Sequence, residues 1–231
     1  MTMLERLLEL LFPRKAVCMG CGSMLGCERE DVCDACRAKL AQSWVGLQQL
    51  EKSSRLDGAA FAYRYHGVAG NLVRRLKYGS VRILSEDMSA DVARAAALLR
   101  LDHVDFVTAV PMHPRRLRVR GHNHSEILAK AAAERMNLPY AALLMRTRDA
   151  AQQVRLSDAE RKRNLDGAFA ARPEFEDKIR NAVVVLIDDV YTTGSTAREC
   201  ASALRRAGAA KVYFAGYAVS KRGDKRRNKH G

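Results

Sequence analysis

The sequence has few aromatic residues and no long apolar run. Phe, Trp and Tyr make up 6% of the 231 residues, which argues against an extended stacking surface that would read nucleic-acid bases. The longest apolar run falls far short of the ~20 residues of a transmembrane helix. Residues 1–12 are typical of a short amphipathic helix, because Glu5 and Glu9 interrupt the apolar positions and no small-residue cleavage site follows. We therefore expect a cytoplasmic protein without membrane insertion.

Two common phosphate-binding motifs are also missing. The sequence contains no Gly-Lys-Ser/Thr of a Walker loop and no Gly-x-Gly-x-x-Gly of a dinucleotide-binding fold. Internal repeats are absent as well. Any nucleotide or phosphate site must therefore be built from another kind of loop.

Acidic residues are scarce over most of the chain. The sequence has 40 Lys and Arg against 26 Asp and Glu, a net charge of +14. Residues 1–60 carry eight of each sign, so the whole excess lies in residues 61–231. This basic region predicts polyanionic partners; the alternative is a solubility feature, since net charge does not report on fold. Residues 221–231 hold six Lys or Arg and one Asp and are predicted to be a disordered basic tail.

The most informative segment is residues 183–196, Val-Val-Val-Leu-Ile-Asp-Asp-Val-Tyr-Thr-Thr-Gly-Ser-Thr. Its five leading apolar residues predict a strand, 183–187, that is buried on both faces. Asp188 and Asp189 are expected where this strand ends, and a helix is predicted over 195–207. Ligands in open α/β sheets bind beyond the carboxyl ends of the strands. The segment therefore predicts a binding site.

The residue types of this segment suit a phosphorylated sugar. Hydroxyls and backbone N–H groups of residues 192–196 can cradle a phosphomonoester, and Gly194 permits a turn with positive φ. Asp188 and Asp189 would repel a diphosphate but accept hydrogen bonds from vicinal hydroxyls. A ribose 5-phosphate unit has both groups at the required ends. The alternative is an ordinary strand–loop–helix with a helix N-cap.

Two pairs of cysteines predict a zinc site. Cys18-x2-Cys21 and Cys33-x2-Cys36 can present four thiolates to one tetrahedral ion, and such an ion can supply ~10–16 kcal/mol of folding free energy. A disulfide framework would need an oxidising compartment, and a thioredoxin-like site normally has a single Cys-x-x-Cys. Cys27 is interpreted as a non-ligand, and Cys200 as a core residue.

Alternating strand and helix patterns predict an α/β fold with a mostly parallel sheet flanked by helices. Strands are predicted at 60–65, 105–110, 143–145, 183–187 and 211–219, and helices at 68–77, 85–100, 123–136 and 195–207. Ser85 is expected to cap the second of these helices, and residues 41–57 are interpreted as a connector. Three units are expected: 1–45 with the terminal helix and the zinc site, 58–220 as the α/β domain, and 221–231 as the tail.

Three basic segments flank the expected site. Arg115, Arg116, Arg118 and Arg120 follow a strand end without an intervening acid, which is typical of a loop that clamps a diphosphate. Residues 146–164 form a long polar connection and are predicted to be a lid or binding loop. Lys77 can either cap its helix or reach a phosphate. For any one arginine a solvated surface charge is the alternative, so this hypothesis depends on the group.

Residues 183–196 resemble the 5-phosphoribosyl 1-diphosphate (PRPP) motif of type I phosphoribosyltransferases. Other segments are similar to the ComF family, phosphoribosyltransferase-like proteins linked to natural transformation, the uptake of single-stranded DNA. They are the paired cysteines, Leu76-Lys77-Tyr78, Val110-Pro111, Arg120-Gly121-His122-Asn123, Gln152 with Arg163-Asn164, and Gly167-Ala168-Phe169. The resemblance extends from about Cys18 to Val219. The chain departs from the family at His122 and His124, where Phe and Gln are usual.

The resemblance implies a type I phosphoribosyltransferase-like domain with a small zinc-ribbon-like unit, which binds PRPP with Mg²⁺ and a structural Zn²⁺. Asp188 and Asp189 are the expected catalytic residues, and Cys18, Cys21, Cys33 and Cys36 the expected zinc ligands. The expected substrate-binding residues are Lys77, Pro111, Met112, Arg115, Arg116, Arg120, Val190, Tyr191, Thr192, Thr193, Gly194, Ser195 and Thr196.

Two functions stay open at this point. One is phosphoribosyl transfer to an acceptor that the sequence does not reveal. The other is a non-catalytic, single-stranded-DNA-binding competence factor that retains the PRPP pocket. In either case single-stranded DNA and other proteins of the competence machinery are the expected partners.

Overall fold

A computed structural model describes residues 17–25, 31–50, 54–78, 81–147 and 167–220. The strands are β1 (Trp44–Gln48), β2 (Gly58–Arg64), β3 (Phe106–Ala109), β4 (Leu144–Arg146), β5 (Phe169–Ala171), β6 (Val183–Tyr191) and β7 (Lys211–Val219). The helices are α1 (Asp34–Gln42), α2 (Gly67–Tyr78), α3 (Val81–Ala97), α4 (Pro114–Arg120), α5 (His124–Met136), α6 (Glu176–Ile179) and α7 (Ser195–Arg206), with a 3₁₀ turn over Pro173–Phe175.

Five strands form one sheet in the order β1-β2-β7-β6-β3. The pairs β2–β7, β7–β6 and β6–β3 are parallel, and β1 lies antiparallel to β2 at one edge. The short strands β4 and β5 form a separate antiparallel pair. The described residues thus confirm the predicted mostly parallel sheet flanked by helices.

The interior strand β6 begins with five apolar residues, Val183 to Ile187, because helices cover both faces of the sheet. Val185 and Ile187 belong to the cluster formed with α2, α3 and α5, and Val184 and Leu186 belong to the cluster formed with α7 and the β4–β5 pair. This division follows the two-residue period of a strand, in which successive side chains point to opposite faces. Cys200 is fully buried in the second cluster, as predicted.

The strand β6 is longer than predicted. Its pairing with β7 continues through Asp188 opposite Gly216 to Tyr191 opposite Val219. Asp188 and Asp189 therefore lie within the last four residues of β6 and not after the strand. The sequence prediction ended the strand at the last apolar residue, Ile187. Backbone pairing continues further because it does not depend on whether a side chain is charged.

Two helices and one strand differ from the sequence prediction. The helix expected from Ser85 begins at Val81 because no proline or glycine separates those residues, so Ser85 is not its cap. The expected arginine loop contains α4, with His113 as N-cap accepting the Arg115 N–H and Pro114 in the first turn. The connector 41–57 contains β1.

Several predictions lie outside the described residues. They are the terminal helix at 1–12, the role of Cys27, most of the lid over 146–164 with Gln152, Arg163 and Asn164, and the tail 221–231. Within the described part of the chain, no helix has the combined length and apolarity of a membrane span.

Candidate functional site

A hydroxyl-lined turn connects β6 to α7 at the carboxyl end of the sheet. Thr192 and Thr193 are exposed, and the Thr193 and Ser195 hydroxyl oxygens lie 2.9 Å apart. Gly194 has φ +76 and directly precedes α7, and an added Cβ would collide with the Tyr191 ring. Glycine is therefore required here on two grounds, its φ and its close approach to Tyr191. Thr193 Oγ1 also accepts the Ser195 N–H at 3.4 Å, and the turn places hydroxyls at the N-terminus of α7, where an anion can bind.

The acid pair is held by two residues from elsewhere in the chain and by one of its own backbone N–H groups. Asp188 Oδ1 accepts a hydrogen bond from Ser125 Oγ at 2.6 Å and from the Asp189 N–H at 2.9 Å. Asp189 is buried, and its Oδ2 lies 2.8 Å from Lys77 Nζ. The first turn of α5 and the last turn of α2 thus converge on the end of β6.

Burial and the charge of Asp189 both disfavour ionisation of Asp188. Burial, followed by the neighbouring charge of Asp189, raises the pKa of Asp188 to about 7, although the Ser125 hydrogen bond acts in the opposite sense. Near neutral pH the pair therefore carries less than two full negative charges. A carboxyl in this state can accept or donate a hydrogen bond to a sugar hydroxyl.

The side chain of Lys77 pairs with the acid pair. Burial acts to lower its pKa, but the charge of Asp189, the hydrogen bond to Asp189 and the charge of Asp188 together outweigh burial, and the pKa of Lys77 is raised. The ammonium group is therefore charged over the physiological range. Lys77 contacts Asp189 in the structure, and its binding to a phosphate stays a prediction.

The expected basic clamp is divided by the fold. Arg115 and Arg116 are exposed on α4, whereas Arg120 Nη1 lies 2.9 Å from His124 Nε2 at the start of α5. Asn123 holds this corner by donating to the Val110 carbonyl at 3.0 Å. Pro111 and Met112, between β3 and α4, line a cavity of about 70 Å³. Of the three arginines, Arg120 is the one that the described contacts connect to α5.

Sequence reasoning missed two residues that touch this site. Ser125 contacts Asp188 across 63 positions, and His124 is buried beside Arg120. Burial, together with the charges of Arg120, His122 and Lys77 and despite Asp189, lowers the pKa of His124 to about 4. The indication in the sequence was the polar first turn of the helix predicted at 123–136.

The four cysteines of the predicted zinc site lie together. Their sulfur atoms are all within 4.8 Å of one another, and Cys21 Sγ is 3.8 Å from Cys33 Sγ. Four thiolates ~2.3 Å from one tetrahedral zinc would be separated by ~3.8 Å. Cys18 Sγ accepts the N–H groups of Gly20 and Cys33 at 3.3 Å each. Burial raises the pKa of Cys18, but these backbone hydrogen bonds outweigh it and the pKa is lowered to about 6. The donor set and its spacing therefore fit Zn²⁺.

Sequence comparison finds competence-associated relatives. The chain is 34% identical over 146 residues to DNA utilization protein YhgH of Escherichia coli strain K12, which covers 61% of this chain and 63% of that protein. It is 27% identical over 152 residues to competence protein F of Haemophilus influenzae strain Rd, with 64% and 66% covered. The chain is a homologue of these proteins. The match spans less than two thirds of each relative, and no family model matches the sequence.

These relatives confirm the resemblance to competence-associated proteins that the motifs predicted. Solved structures with partial similarity are phosphoribosyltransferases and a regulatory enzyme of purine biosynthesis. The adenine phosphoribosyltransferase of Leishmania tarentolae is 13% identical with a TM-score of 0.41, covering 76% of this chain and 95% of that one. The purine-biosynthesis enzyme is 22% identical with a TM-score of 0.39, covering 58% and 26%. At these TM-scores the structural similarity carries no argument about activity.

We predict one zinc ion per chain. Elemental analysis of protein purified without chelators should find one zinc ion, and Cys21→Ser should reduce this content because three thiolates hold zinc less well than four. Cys27→Ser is the matched control and should keep one zinc ion. Zinc-free wild-type protein would contradict the assignment of the four cysteines.

We predict that Asp188→Asn stabilises the fold at about pH 8. The folded-state pKa of Asp188 is raised above its ordinary value of 3.8 to about 7. The stability that this carboxyl contributes is therefore present below pH ~4 and is lost as the pH rises through ~7. Asn keeps the acceptor oxygen for Ser125 without the charge. The upper limit of the gain is about 4 kcal/mol, from ~1.4 kcal/mol for each tenfold change in proton affinity.

Denaturant unfolding of wild type and variant between about pH 5 and about pH 8 measures this difference. The gain should shrink as the pH falls. Asp177→Asn, at a fully exposed position, should give no such trend. A difference for Asp188→Asn that does not change with pH would show that burial does not perturb this group.

Proposed function

We propose that the protein binds PRPP with Mg²⁺ and transfers its phosphoribosyl group to an acceptor not yet identified. The observation that carries this proposal is the acid pair Asp188–Asp189 next to an open, hydroxyl-lined turn at the start of α7. One end of that arrangement suits a phosphate and the other suits a cis-diol. A ribose 5-phosphate unit carries both groups.

The residues of the site divide the ligand between them. Thr192, Thr193, Ser195 and Thr196, with the N–H groups that open α7, hold the 5-phosphate. Asp188 and Asp189 accept the ribose hydroxyls and favour the positive charge that develops at the anomeric carbon as diphosphate leaves. No protein nucleophile is needed, since the acceptor displaces the diphosphate directly.

Oxygen donors of this site also suit a hydrated magnesium ion. Carboxylates and ligand phosphates are the groups that Mg²⁺ prefers, and the ion keeps several waters in such sites. When bound, Mg²⁺ supplies charge neutralisation for the departing diphosphate. Two cations lie at this place in the described part of the chain: Lys77 Nζ is 2.8 Å from Asp189, and Arg120 Nη1 is 2.9 Å from His124.

We further propose a cytoplasmic location. Four thiols that lie ready for zinc suit a reducing compartment, because thiolates and not disulfides bind the metal. The names of the relatives, which refer to DNA utilization and competence, support a role in the handling of incoming DNA.

We predict that Asp188→Ala combined with Asp189→Ala lowers the affinity for Mg²⁺–PRPP by about a hundredfold or more. Each charge-assisted hydrogen bond lost from the ribose hydroxyls costs about 1.5–3 kcal/mol, and 1.4 kcal/mol corresponds to tenfold in affinity. Asp102→Ala with Asp177→Ala removes the same charge from exposed positions and is the matched control. Titration calorimetry measures the affinities, and an unchanged value for the acid-pair variant would reject the proposal. Diphosphate release with a panel of acceptors then tests transfer.

A second candidate is a single-stranded-DNA-binding factor that retains the pocket. The observation in its favour is α4, which has no buried residue and carries four arginines without an acid. A short basic helix next to the carboxyl end of a sheet can follow a phosphate backbone without reading bases. The scarcity of aromatic residues agrees with binding of that kind.

For this candidate we predict weak binding of single-stranded DNA with a steep salt dependence. Each neutralised phosphate contributes ~0.7 to the slope of log K against log salt, so four to six contacts give a slope of about −3 to −4. Arg115→Ala with Arg116→Ala should weaken DNA binding more than Arg100→Ala with Arg180→Ala, which removes the same charge from exposed positions elsewhere. Deletion of 221–231 should weaken DNA binding and leave PRPP binding unchanged. An affinity that stays flat between low and moderate salt would contradict the electrostatic account.

A further inference from the structure

His124 is buried at the start of α5 and has one defined partner. Its residue is 2% exposed, and Arg120 Nη1 lies 2.9 Å from its Nε2. A guanidinium has donors and no acceptor, so the imidazole must accept this hydrogen bond at Nε2. A neutral ring that accepts at Nε2 carries its proton on Nδ1. The contact with Arg120 therefore selects the tautomer of His124.

The Nδ1 donor of His124 has no acceptor among the described residues. Its neighbour His122, whose ring centroid lies 5.4 Å away, has a buried Nε2 that also lacks a partner in that part of the chain. Buried polar atoms are nearly always satisfied in native proteins, and one that is not calls for an explanation. Two such atoms on adjacent rings point to a partner beyond the described residues, and a bound ligand is one such partner.

The surroundings of His124 identify the kind of group. Ser125, the next residue, donates to Asp188, and the charges of Asp189, Lys77 and Arg120 all act on the imidazole. His124 therefore lies where two cations and the acid pair meet. An oxygen-rich anion satisfies the cations and accepts from the Nδ1 donor.

A neutral donor has a particular advantage at this position. Burial lowers the pKa of His124 to about 4, with Arg120, His122 and Lys77 acting in the same sense and Asp189 against it. The ring thus stays uncharged at neutral pH. It can bind an anion without forming an ion pair to Asp189, which would compete with the ligand.

We propose that His124 is a ligand-binding residue that donates its Nδ1 proton to a diphosphate oxygen of the bound substrate. This inference rests on the proposed function. The hydroxyl-lined turn before α7 takes the 5-phosphate and the acid pair takes the ribose hydroxyls, so the diphosphate is the part of the ligand left to the cations Lys77 and Arg120. His124 is hydrogen-bonded to Arg120, and the charge of Lys77 acts on its ring.

Three substitutions of His124 separate its two ring nitrogens. His124→Asn keeps a donor near the position of Nδ1, His124→Gln keeps one near Nε2, and His124→Phe keeps neither. Mg²⁺ with inorganic diphosphate, Mg²⁺ with PRPP, and ribose 5-phosphate are the probes for calorimetry. We expect Phe and Gln to lower the affinity for the two diphosphate probes by about tenfold to a hundredfold, which is the loss of one hydrogen bond to a charged group. Asn should retain most of the affinity, and ribose 5-phosphate should bind all forms alike.

A spectroscopic measurement adds a readout that a packing role would not change. Nitrogen-15 NMR of the imidazoles should show His124 protonated at Nδ1 in the free protein, and that proton should shift downfield when Mg²⁺ and diphosphate are added. His103→Phe, an exposed histidine paired with Asp105, is the control and should leave both measurements unchanged. Protonation at Nε2, or a His124→Phe variant that binds diphosphate as tightly as wild type, would overturn the inference.

The failure of this inference can be told apart from the failure of the proposed function. If the wild type binds PRPP and all His124 variants do so equally, the inference alone is wrong. If the wild type binds diphosphate in a His124-dependent manner but does not bind PRPP, the donor is confirmed and the proposed function is wrong. If the wild type binds neither probe, both are wrong. Should His124→Phe fail to fold, the comparison of Asn with Gln decides the outcome.

Discussion

The surrounding structure depends on one constraint: two adjacent carboxylates at the end of a buried strand must have partners. Taking a charge out of water is expensive unless it is paired or hydrogen-bonded. Asp189 is paired with Lys77 from α2, and Asp188 receives the Ser125 hydroxyl from α5 and the Asp189 N–H. Elements far apart in sequence must therefore meet at one point, the carboxyl end of β6. The rest of the sheet supplies the apolar support that keeps them there.

This arrangement favours ligand binding over stability. A pair of carboxylates in which one has its pKa raised to about 7 opposes folding at neutral pH, and an apolar pair would pack with less cost. Local departures from the rules that stabilise a fold are expected at functional sites. The ammonium of Lys77 and the hydroxyl of Ser125, which satisfy the acids in the free protein, are also groups that can hydrogen-bond to a ligand. A sugar hydroxyl can replace the Ser125 hydroxyl as the donor to Asp188 at little net cost.

The sequence predicted the parts of this protein whose signal is local. The strand β6, the helix α7 and the strand β7 follow from apolar periodicity and from one glycine at the turn, and the hydroxyls of that turn from residue type. The strands β4 and β5 have three residues each, too few for a period to show, and β5 was not predicted. The helix α4 was read as a loop because its arginines outweighed Pro114, a residue typical of a helix start. Ser125 could not be connected to Asp188, since that contact spans 63 positions.

The zinc unit takes part in the same architecture through one helix. Asn71 of α2 donates to the Gly20 carbonyl at 2.6 Å, and a Cβ at Gly20 would lie 2.8 Å from Cys36 Sγ and 2.9 Å from Val68. The cysteine loop therefore approaches α2 as closely as a glycine allows. Cys18 and Cys36 share a hydrophobic cluster with Leu72, Val73 and Leu76 of that helix. Because α2 also carries Lys77, the helix that receives the cysteine loop is the one that neutralises Asp189. The packing of α2 thus connects the four cysteines with the acid pair.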